Sequence, residues 1–137
     1  MILVVDASVA IKWFVRETFH SEAFRLLAHP TDLHAPDLLI AEVTNIAWRK
    51  CRLGEIAKGQ AAKIAQAIHR GTPLLYPSAL FNERALDLAF TLDHPIYDCL
   101  YLACAELLGG RLITADDKFR SAAVKAGFAD RFQPLAA

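Results

Sequence analysis

Residues 95–119 read PIYDCLYLACAELLGGRLITADDKF, and this stretch predicts a helix, a turn, a strand and a second turn. Apolar side chains recur at the i, i+3, i+4 and i+7 spacing of a helix that packs one face on a sheet. The adjacent glycines Gly109 and Gly110 end that helix. Residues 111–114 then form a short strand. The predicted apolar face consists of Tyr97, Leu100, Tyr101, Cys104, Leu107 and Leu108.

An acidic residue stands at each end of this unit. Asp98 lies in the first turn of the predicted helix, and Asp116 stands just past the carboxyl end of the predicted strand. Open α/β sheets bind ligands outside the carboxyl ends of their parallel strands, and helix N-termini favour negative charge. Both acids therefore occupy positions that are typical of a ligand-binding or catalytic site.

The rest of the chain alternates strands with helices, which predicts an α/β fold with a short central parallel sheet flanked by helices. Residues 2–5 form a continuous apolar run, typical of a central strand that is buried on both faces. Residues 31–35 and the buried run at residues 74–76 are further short strands, and residues 131–135 form an edge strand. Helices are predicted at residues 18–28, 36–52, 56–68, 79–92 and 121–126.

Helical spacing also predicts which side chains of these helices enter the core. In the helix at residues 18–28 they are Phe19, Ala23, Leu26 and Leu27. In the helix at residues 79–92 they are Leu80, Ala85, Leu88, Ala89 and Leu92.

Two more acids lie close to predicted strand ends. Asp6 ends the first strand, where it either caps the following short helix or takes part in a site. Ser8 is placed to hydrogen-bond either Asp6 or a backbone amide. Glu42 belongs to a stripe on the helix at residues 36–52, with Leu38, Asn45 and Arg49 at the i, i+4, i+7 and i+11 positions. This stripe is either the solvated side of an amphipathic helix or the wall of a site.

Bulk properties bound the class of protein. The 137 residues predict one domain over residues 1–137, and the hydrophobic share of 55% suggests that some apolar surface meets another chain. Equal numbers of basic and acidic residues, 15 each, give no net charge, and composition alone argues against a nucleic-acid partner. Three cysteines without a CxxC pair favour a reducing compartment, and the first apolar run is too short for a signal peptide or membrane span. A soluble cytoplasmic protein without a membrane partner is expected.

The four acids become informative when they are taken together. Asp6, Glu42, Asp98 and Asp116 would gather at one edge of the predicted sheet, where their charges repel one another. Carboxylate oxygens and waters are the ligands that Mg²⁺ and Mn²⁺ prefer, so a hard divalent cation would relieve the repulsion. Such a centre can activate a water for in-line displacement at phosphorus, which predicts phosphodiester hydrolysis.

Four segments in this order, ILVVDASVAIKWF, IAEVTNIAW, IYDCLYLACAE and LITADDKF, resemble PIN-domain ribonucleases of the VapC toxin type. The resemblance covers the whole chain as a single PIN-like domain. It implies metal ligation and catalysis by Asp6, Glu42, Asp98 and Asp116, with hydrogen-bonding support from Ser8 and Thr114. It further implies Mg²⁺ or Mn²⁺ as cofactor, RNA as substrate, a homodimer, and a cognate antitoxin protein as partner.

Some assignments stay open at this point. Asp117 competes with Asp116 for the last ligand position; the Thr-x-Asp spacing favours Asp116, and Asp117 either binds through water or caps the next helix. Asn45 lies beside Glu42 as a supporting residue. With four acids neutralised by metal, 15 basic residues face the remaining 11 acids, which leaves cations for RNA phosphates. The five nearest to the acidic segments are Lys12, Arg49, Arg52, Lys118 and Arg120, and a solvated-surface role is the alternative for each.

Other functions use similar patterns. A phosphotransfer receiver needs an acid pair after its first strand, whereas this chain has Asp6 alone at that point. A structure-specific DNA nuclease would use the same four acids, so the sequence leaves it open. A catalytically inactive PIN scaffold that acts by partner binding is disfavoured by the intact acids. The five histidines show no mutual spacing typical of a metal site and receive no catalytic role.

Overall fold

A computed structural model describes residues 1–136 and confirms the α/β architecture. Ala137, the last residue of the predicted domain, lies outside the described residues. Four strands form one parallel sheet in the order β3-β2-β1-β4. The strands are β1 at Leu3–Val5, β2 at Leu33–Pro36, β3 at Leu74–Tyr76 and β4 at Arg111–Ile113.

Seven α-helices within the described residues connect and cover these strands. The first follows β1 directly and continues as a 3₁₀ turn at Ile11–Trp13, while the helices at Leu38–Arg52 and Lys58–Ala67 form a helical hairpin. Further 3₁₀ turns lie at Leu26–Ala28, Pro30–Asp32, Ser78–Phe81 and Ala129–Arg131. The helices are α1 at Ala7–Ala10, α2 at His20–Arg25, α3 at Leu38–Arg52, α4 at Lys58–Ala67, α5 at Asn82–Leu92, α6 at Ile96–Leu108 and α7 at Asp117–Lys125.

Helix α6 is the central helix of the core. Every residue from 99 to 105 is buried, and the helix packs against α5 and against β1, β2 and β4. The prediction of one apolar face was therefore wrong in detail, because the middle of the helix is covered on all sides. Tyr97 and Leu107, which were assigned to that face, lie near its two ends and are exposed. Gly109 ends the helix with a positive φ of 68°, as predicted.

Two other core predictions were wrong because local backbone geometry differs from a regular helix. Phe19 precedes α2 with a positive φ of 66° and is exposed, while the buried Trp13 donates its indole N–H to the Ala23 carbonyl at 2.9 Å. Leu80 falls in a 3₁₀ turn, whose three-residue period differs from the 3.6 of an α-helix. That turn buries Phe81 and leaves Leu80 63% exposed.

The two edges of the sheet also differ from prediction. Strand β3 pairs only with β2, so it is an edge strand, and Leu74 is exposed rather than buried. The strand expected at residues 131–135 is absent from the described residues. In its place, Phe132 makes a single parallel bridge with Leu112, and Gln133 N donates to Leu112 O at 3.0 Å.

The fold directs the carboxyl ends of β1 and β4 to one place, because the two strands are parallel neighbours in register, with Val5 opposite Ile113. A second set of contacts fixes the start of α3. Ser78 donates its backbone N–H and hydroxyl to the Asp37 carboxylate at 3.0 and 2.7 Å, and Leu38 N donates to the Ser78 hydroxyl at 3.0 Å. Among residues 1–136, no helix is long and apolar enough to cross a lipid bilayer.

Candidate active site

An open cleft of about 290 Å³ lies where the chain leaves the carboxyl ends of β1 and β4. All four predicted acids line it. One follows β1, one precedes α7, and the other two lie on α3 and in the first turn of α6. The lining residues are Asp6, Ala7, Ser8, Glu42, Asn45, Ile46, Arg49, Asp98 and Asp116.

Asp6 is the deepest of these acids, with only 5% of its surface exposed. It caps α1 by accepting a hydrogen bond from Val9 N at 3.2 Å, and it also accepts from the hydroxyls of Ser8 and Thr114. Burial raises the pKa of Asp6 from 3.8 to about 6; the hydrogen bonds lower this pKa, and the nearby Asp98 carboxylate raises it. Asp6 is therefore both a helix cap and a carboxylate whose negative charge is disfavoured by burial.

Hydroxyl groups join the ends of β1 and β4. The Ser8 hydroxyl donates to Asp6 at 2.6 Å and accepts from Ala115 N at 2.9 Å, so both interactions left open by the sequence occur. The Thr114 hydroxyl donates to Asp6 and accepts from Asp116 N at 3.0 Å. The two hydroxyls therefore tie the Asp6 carboxylate to the loop that carries Asp116, and this fixes the spacing of the two acids.

Glu42 is held by a residue that sequence reasoning assigned only to the core. The buried Tyr101 hydroxyl donates to Glu42 Oε1 at 2.6 Å. Burial raises the pKa of Glu42, and the Asp98 carboxylate adds to this rise, while the Tyr101 hydrogen bond opposes it. Burial and the Glu42 charge also raise the pKa of Tyr101, so this residue acts as a neutral donor. A tyrosine among the apolar residues of a buried helix was the available signal.

Asp98 also has an unexpected partner. His94 Nε2 donates to Asp98 Oδ2 at 2.7 Å, and the imidazole ring lies 4.8 Å from the Phe119 ring. The five histidines show no metal-site spacing among themselves, but His94 precedes the acid Asp98 by four residues. The four-residue separation of His94 and Asp98 was the signal that would have revealed this pair.

The structure separates the two adjacent acids after β4. Asp116 lines the cleft and caps α7 by accepting from Phe119 N at 3.0 Å. Asp117 is exposed, does not line the cleft, and accepts from Arg120 at 2.9 Å in the first turn of α7. Asp117 therefore points away from the other acids and neutralises Arg120.

The oxygen atoms that remain free suit a divalent cation. Within residues 1–136, Glu42 Oε2, Asp98 Oδ1 and Asp116 Oδ2 receive no hydrogen bond from the protein, although the other oxygen of each carboxylate does. Each of these three carboxylates is thus held through one oxygen, and its other oxygen is available to a ligand. In the same residues no three His, Cys, Asp or Glu side chains are placed so that they could hold a metal ion together. Mg²⁺ commonly binds through only one or two carboxylates and keeps several waters, so free oxygens on separate acids still fit it.

The five basic residues proposed to face RNA have different surroundings. Arg49 lines the cleft. Lys12 was assigned wrongly, since it is only 5% exposed and donates to Glu17 at 3.0 Å. Arg52 lies over the Trp48 ring, 5.5 Å from its centroid. Arg120 pairs with Asp117, and Lys118 is exposed beside them without an ion pair in the described chain.

The fold and the cleft define an α/β protein with an acidic centre at the carboxyl edge of a parallel sheet. Comparison with protein-family models matches residues 3–125 to the family described as PIN domain. The chain therefore belongs to the PIN domain family. It is also 31% identical over 118 residues to Ribonuclease VapC3 of Pyrobaculum aerophilum, a match that covers 85% of this chain and 90% of that protein.

Solved structures show the same fold. The crystal structure of PAE2754 from Pyrobaculum aerophilum superposes with a TM-score of 0.70 at 23% identity, covering 89% of this chain and 79% of the other. The VapC20 structure from Mycobacterium tuberculosis, described as a sarcin-ricin loop cleaving toxin, superposes with a TM-score of 0.70 at 19% identity. That match covers 88% of this chain and 94% of VapC20. At these identities the likeness concerns the fold alone.

Proposed function

We propose that this protein is a metal-dependent endoribonuclease of the VapC type, the toxin of a toxin-antitoxin pair. The observation that carries the proposal is the gathering of four carboxylates around one open cleft, three of them with a free oxygen. Membership of the PIN family and the 31% identity to a protein named a ribonuclease support it. The reaction is hydrolysis of an RNA phosphodiester bond.

The proposed ligands are Asp6, Glu42, Asp98 and Asp116, with Mg²⁺ or Mn²⁺ as the cofactor. A bound divalent cation would supply a more acidic water and positive charge beside the reacting phosphate. The protein positions these ligands. Tyr101 holds Glu42 and His94 holds Asp98, each through one carboxylate oxygen. We assign Asp117 no direct contact with the metal, because it neutralises Arg120 outside the cleft.

The proposed partners and location follow from the assignment to VapC-type toxins. We propose a cognate antitoxin protein, a homodimer and a cytoplasmic location, where RNA is available and where the free thiols of Cys51, Cys99 and Cys104 stay reduced. The apolar side chains that remain exposed on α5 support contact with another chain. We also propose that residues 1–137 work as one nuclease domain, since Phe132, beyond the family match, packs on β4.

The test combines metal, substrate and one variant. Purified protein is incubated with RNA and Mg²⁺ or Mn²⁺, and the 5′ ends of the fragments are sequenced. We expect cleavage only with the metal and products that carry a 5′-phosphate, because an activated water rather than the ribose 2′-hydroxyl attacks phosphorus and the ribose 3′-oxygen leaves as a hydroxyl. Asp98→Asn should abolish nearly all cleavage, since it removes one ligand and keeps the size of the side chain.

Asp130→Asn, an exposed change away from the cleft, is the matched control and should cleave as the wild type does. Products that end in a cyclic 2′,3′-phosphate would contradict the mechanism. Cleavage of structured DNA in preference to RNA would favour the DNA nuclease. A wild type that binds no Mn²⁺ by calorimetry would favour an inactive scaffold that acts by binding a partner.

A further inference from the structure

Helix α3 brings a polar strip into the cleft beside the acids. Glu42, Asn45 and Arg49 all line it, at positions i, i+3 and i+7 of one helical face. Exposure increases along this strip, because Glu42 is half-buried whereas Asn45 and Arg49 are exposed. The acids therefore lie deeper in the cleft, and an amide and a guanidinium stand at its rim.

Arg49 is the one basic residue that lines the cleft among the described residues. Its guanidinium makes neither a hydrogen bond nor an ion pair within residues 1–136, although four carboxylates share the cleft with it. The Asn45 amide likewise makes no hydrogen bond to a described residue. Two donors thus face the cleft without a protein partner.

The charge of the cleft explains what these donors can bind. Four carboxylates line the cleft, so its floor repels a phosphodiester unless cations intervene. A guanidinium offers a planar fork of N–H groups that matches two phosphate oxygens. Arg49 lies seven residues after Glu42 on α3, so its backbone is about 10 Å further along the helix axis. From that position its side chain lines the same cleft as the carboxylates, which suits contact with a neighbouring phosphate.

We propose that Arg49, with Asn45, binds the RNA phosphate next to the one that is cleaved. The inference rests on the proposed nuclease function and adds a substrate subsite to it. Arg49 contributes affinity and register for the RNA backbone and takes no part in holding the metal. The alternative is that Arg49 only offsets the charge of the carboxylates, in which case its removal would change metal affinity before it changed RNA binding.

The experiment compares Arg49→Ala and Arg49→Lys with Arg111→Ala as the matched control. Arg111 carries the same charge, is exposed, and lies at the amino end of β4, the opposite end of that strand from the cleft. Binding of a fluorescent single-stranded oligoribonucleotide is followed by anisotropy over a range of salt concentrations. Cleavage of the same oligonucleotide with Mn²⁺ gives kcat and KM, and calorimetry gives the Mn²⁺ affinity.

For Arg49→Ala we expect oligonucleotide affinity to fall about tenfold to a hundredfold, as for the loss of a hydrogen bond to a charged group. KM should rise accordingly, with little change in kcat. The slope of log affinity against log salt should decrease by about 0.7, the value for one phosphate contact on a single strand. Arg49→Lys should lie between wild type and Arg49→Ala, because it keeps the charge and loses the fork. Mn²⁺ affinity and all Arg111→Ala values should stay unchanged.

Other results would contradict the proposal. Unchanged binding and salt slope in Arg49→Ala, or an equal loss in Arg111→Ala, would overturn the subsite. A changed Mn²⁺ affinity with an unchanged salt slope would assign Arg49 to charge compensation. If the wild type binds the oligonucleotide through Arg49 but does not cleave it, the nuclease proposal fails and the phosphate site stands. A wild type that binds no oligonucleotide would contradict both the phosphate site and the nuclease proposal.

Discussion

Asp6 links local structure to chemistry more directly than the other acids do. Its carboxylate accepts hydrogen bonds from a helix N-terminus and from two hydroxyls, yet burial still raises its pKa to about 6. The hydrogen bonds hold the side chain in place, and desolvation disfavours its charge. A cation in the cleft would reverse this balance, so the same residue that caps α1 is poised for metal binding.

This conflict predicts the pH dependence of stability without metal. The folded pKa of Asp6, about 6, lies above its unfolded value of 3.8, so the folded state binds more protons in this window. Stability should therefore fall as pH rises from about 4 to above 6, by at most about 3 kcal/mol for two pKa units. Asp6→Asn cannot ionise, so its melting temperature should fall less over the window and should equal or exceed that of wild type at pH 7.5.

Thermal unfolding in chelator-treated buffer from pH 4.5 to 7.5 measures the difference. Glu42, whose pKa is also raised, contributes with the same sign in both proteins, so the comparison isolates Asp6. Asp130→Asn serves as the exposed control. Parallel curves for wild type and Asp6→Asn would mean that the Asp6 carboxylate does not titrate in this window.

At the level of elements, the joint between α6 and β4 sets the geometry of the centre. Helix α6 carries Asp98 at its start, and β4 leads to Asp116 within a few residues of its end. Between them, a Cβ on Gly110 would lie 2.5 Å from the Ile2 carbonyl oxygen and 2.6 Å from its side chain. Only a residue without a side chain allows β1 and the α6–β4 turn to approach this closely.

The two glycines of this turn should therefore differ on substitution. Gly110→Ala forces the backbone of Ile2 to move, and we expect a loss of about 3 kcal/mol, the upper end for overpacking. Gly109→Ala meets no atom within 4 Å and carries only the strain of its positive φ, about 1 to 2 kcal/mol. Urea unfolding monitored by circular dichroism gives both values. An equal or larger loss for Gly109→Ala would show that the contact with Ile2 yields easily.

Sequence patterns predicted the helices and strands more accurately than the exposure of their side chains. Helix α3 and the stripe that includes Glu42, Asn45 and Arg49 follow from spacing along one helix, and the stripe faces the cleft as a unit. Exposure was harder to predict. Phe19 and Leu80 were placed in the core from helical spacing, but a positive φ and a 3₁₀ turn redirect them. Such backbone changes are only weakly encoded in apolar periodicity.

At the scale of the whole molecule, large apolar side chains remain uncovered on α5. Leu86 and Phe90 lie one turn apart and are 49% and 79% exposed. If this face joins two copies of the chain, wild type at tens of micromolar should have about twice the monomer mass of 15.1 kDa by light scattering. Phe90→Glu should give the monomer, because a charge on an apolar interface is desolvated without a partner.

Phe24→Glu makes the same chemical change on α2, at a residue that is 54% exposed, and should remain dimeric. Circular dichroism of both variants shows whether the fold is retained. A wild type that is monodisperse as a monomer would contradict the dimer. A dimer that persists in Phe90→Glu but is lost in Phe24→Glu would place the interface on α2 instead of α5.

The chain's local patterns were sufficient for the order of the four strands that form, for their parallel pairing, and for the four acids as a candidate set, although they also predicted a fifth strand at residues 131–135 that does not form. This follows because periodicity, glycine turns and acids after strands are properties of neighbouring residues. The burial of α6 on all sides, the edge position of β3 and the Tyr101 and His94 contacts depended on three-dimensional packing. Tyr101 and Glu42 are 59 residues apart, and no local pattern records a contact across that distance.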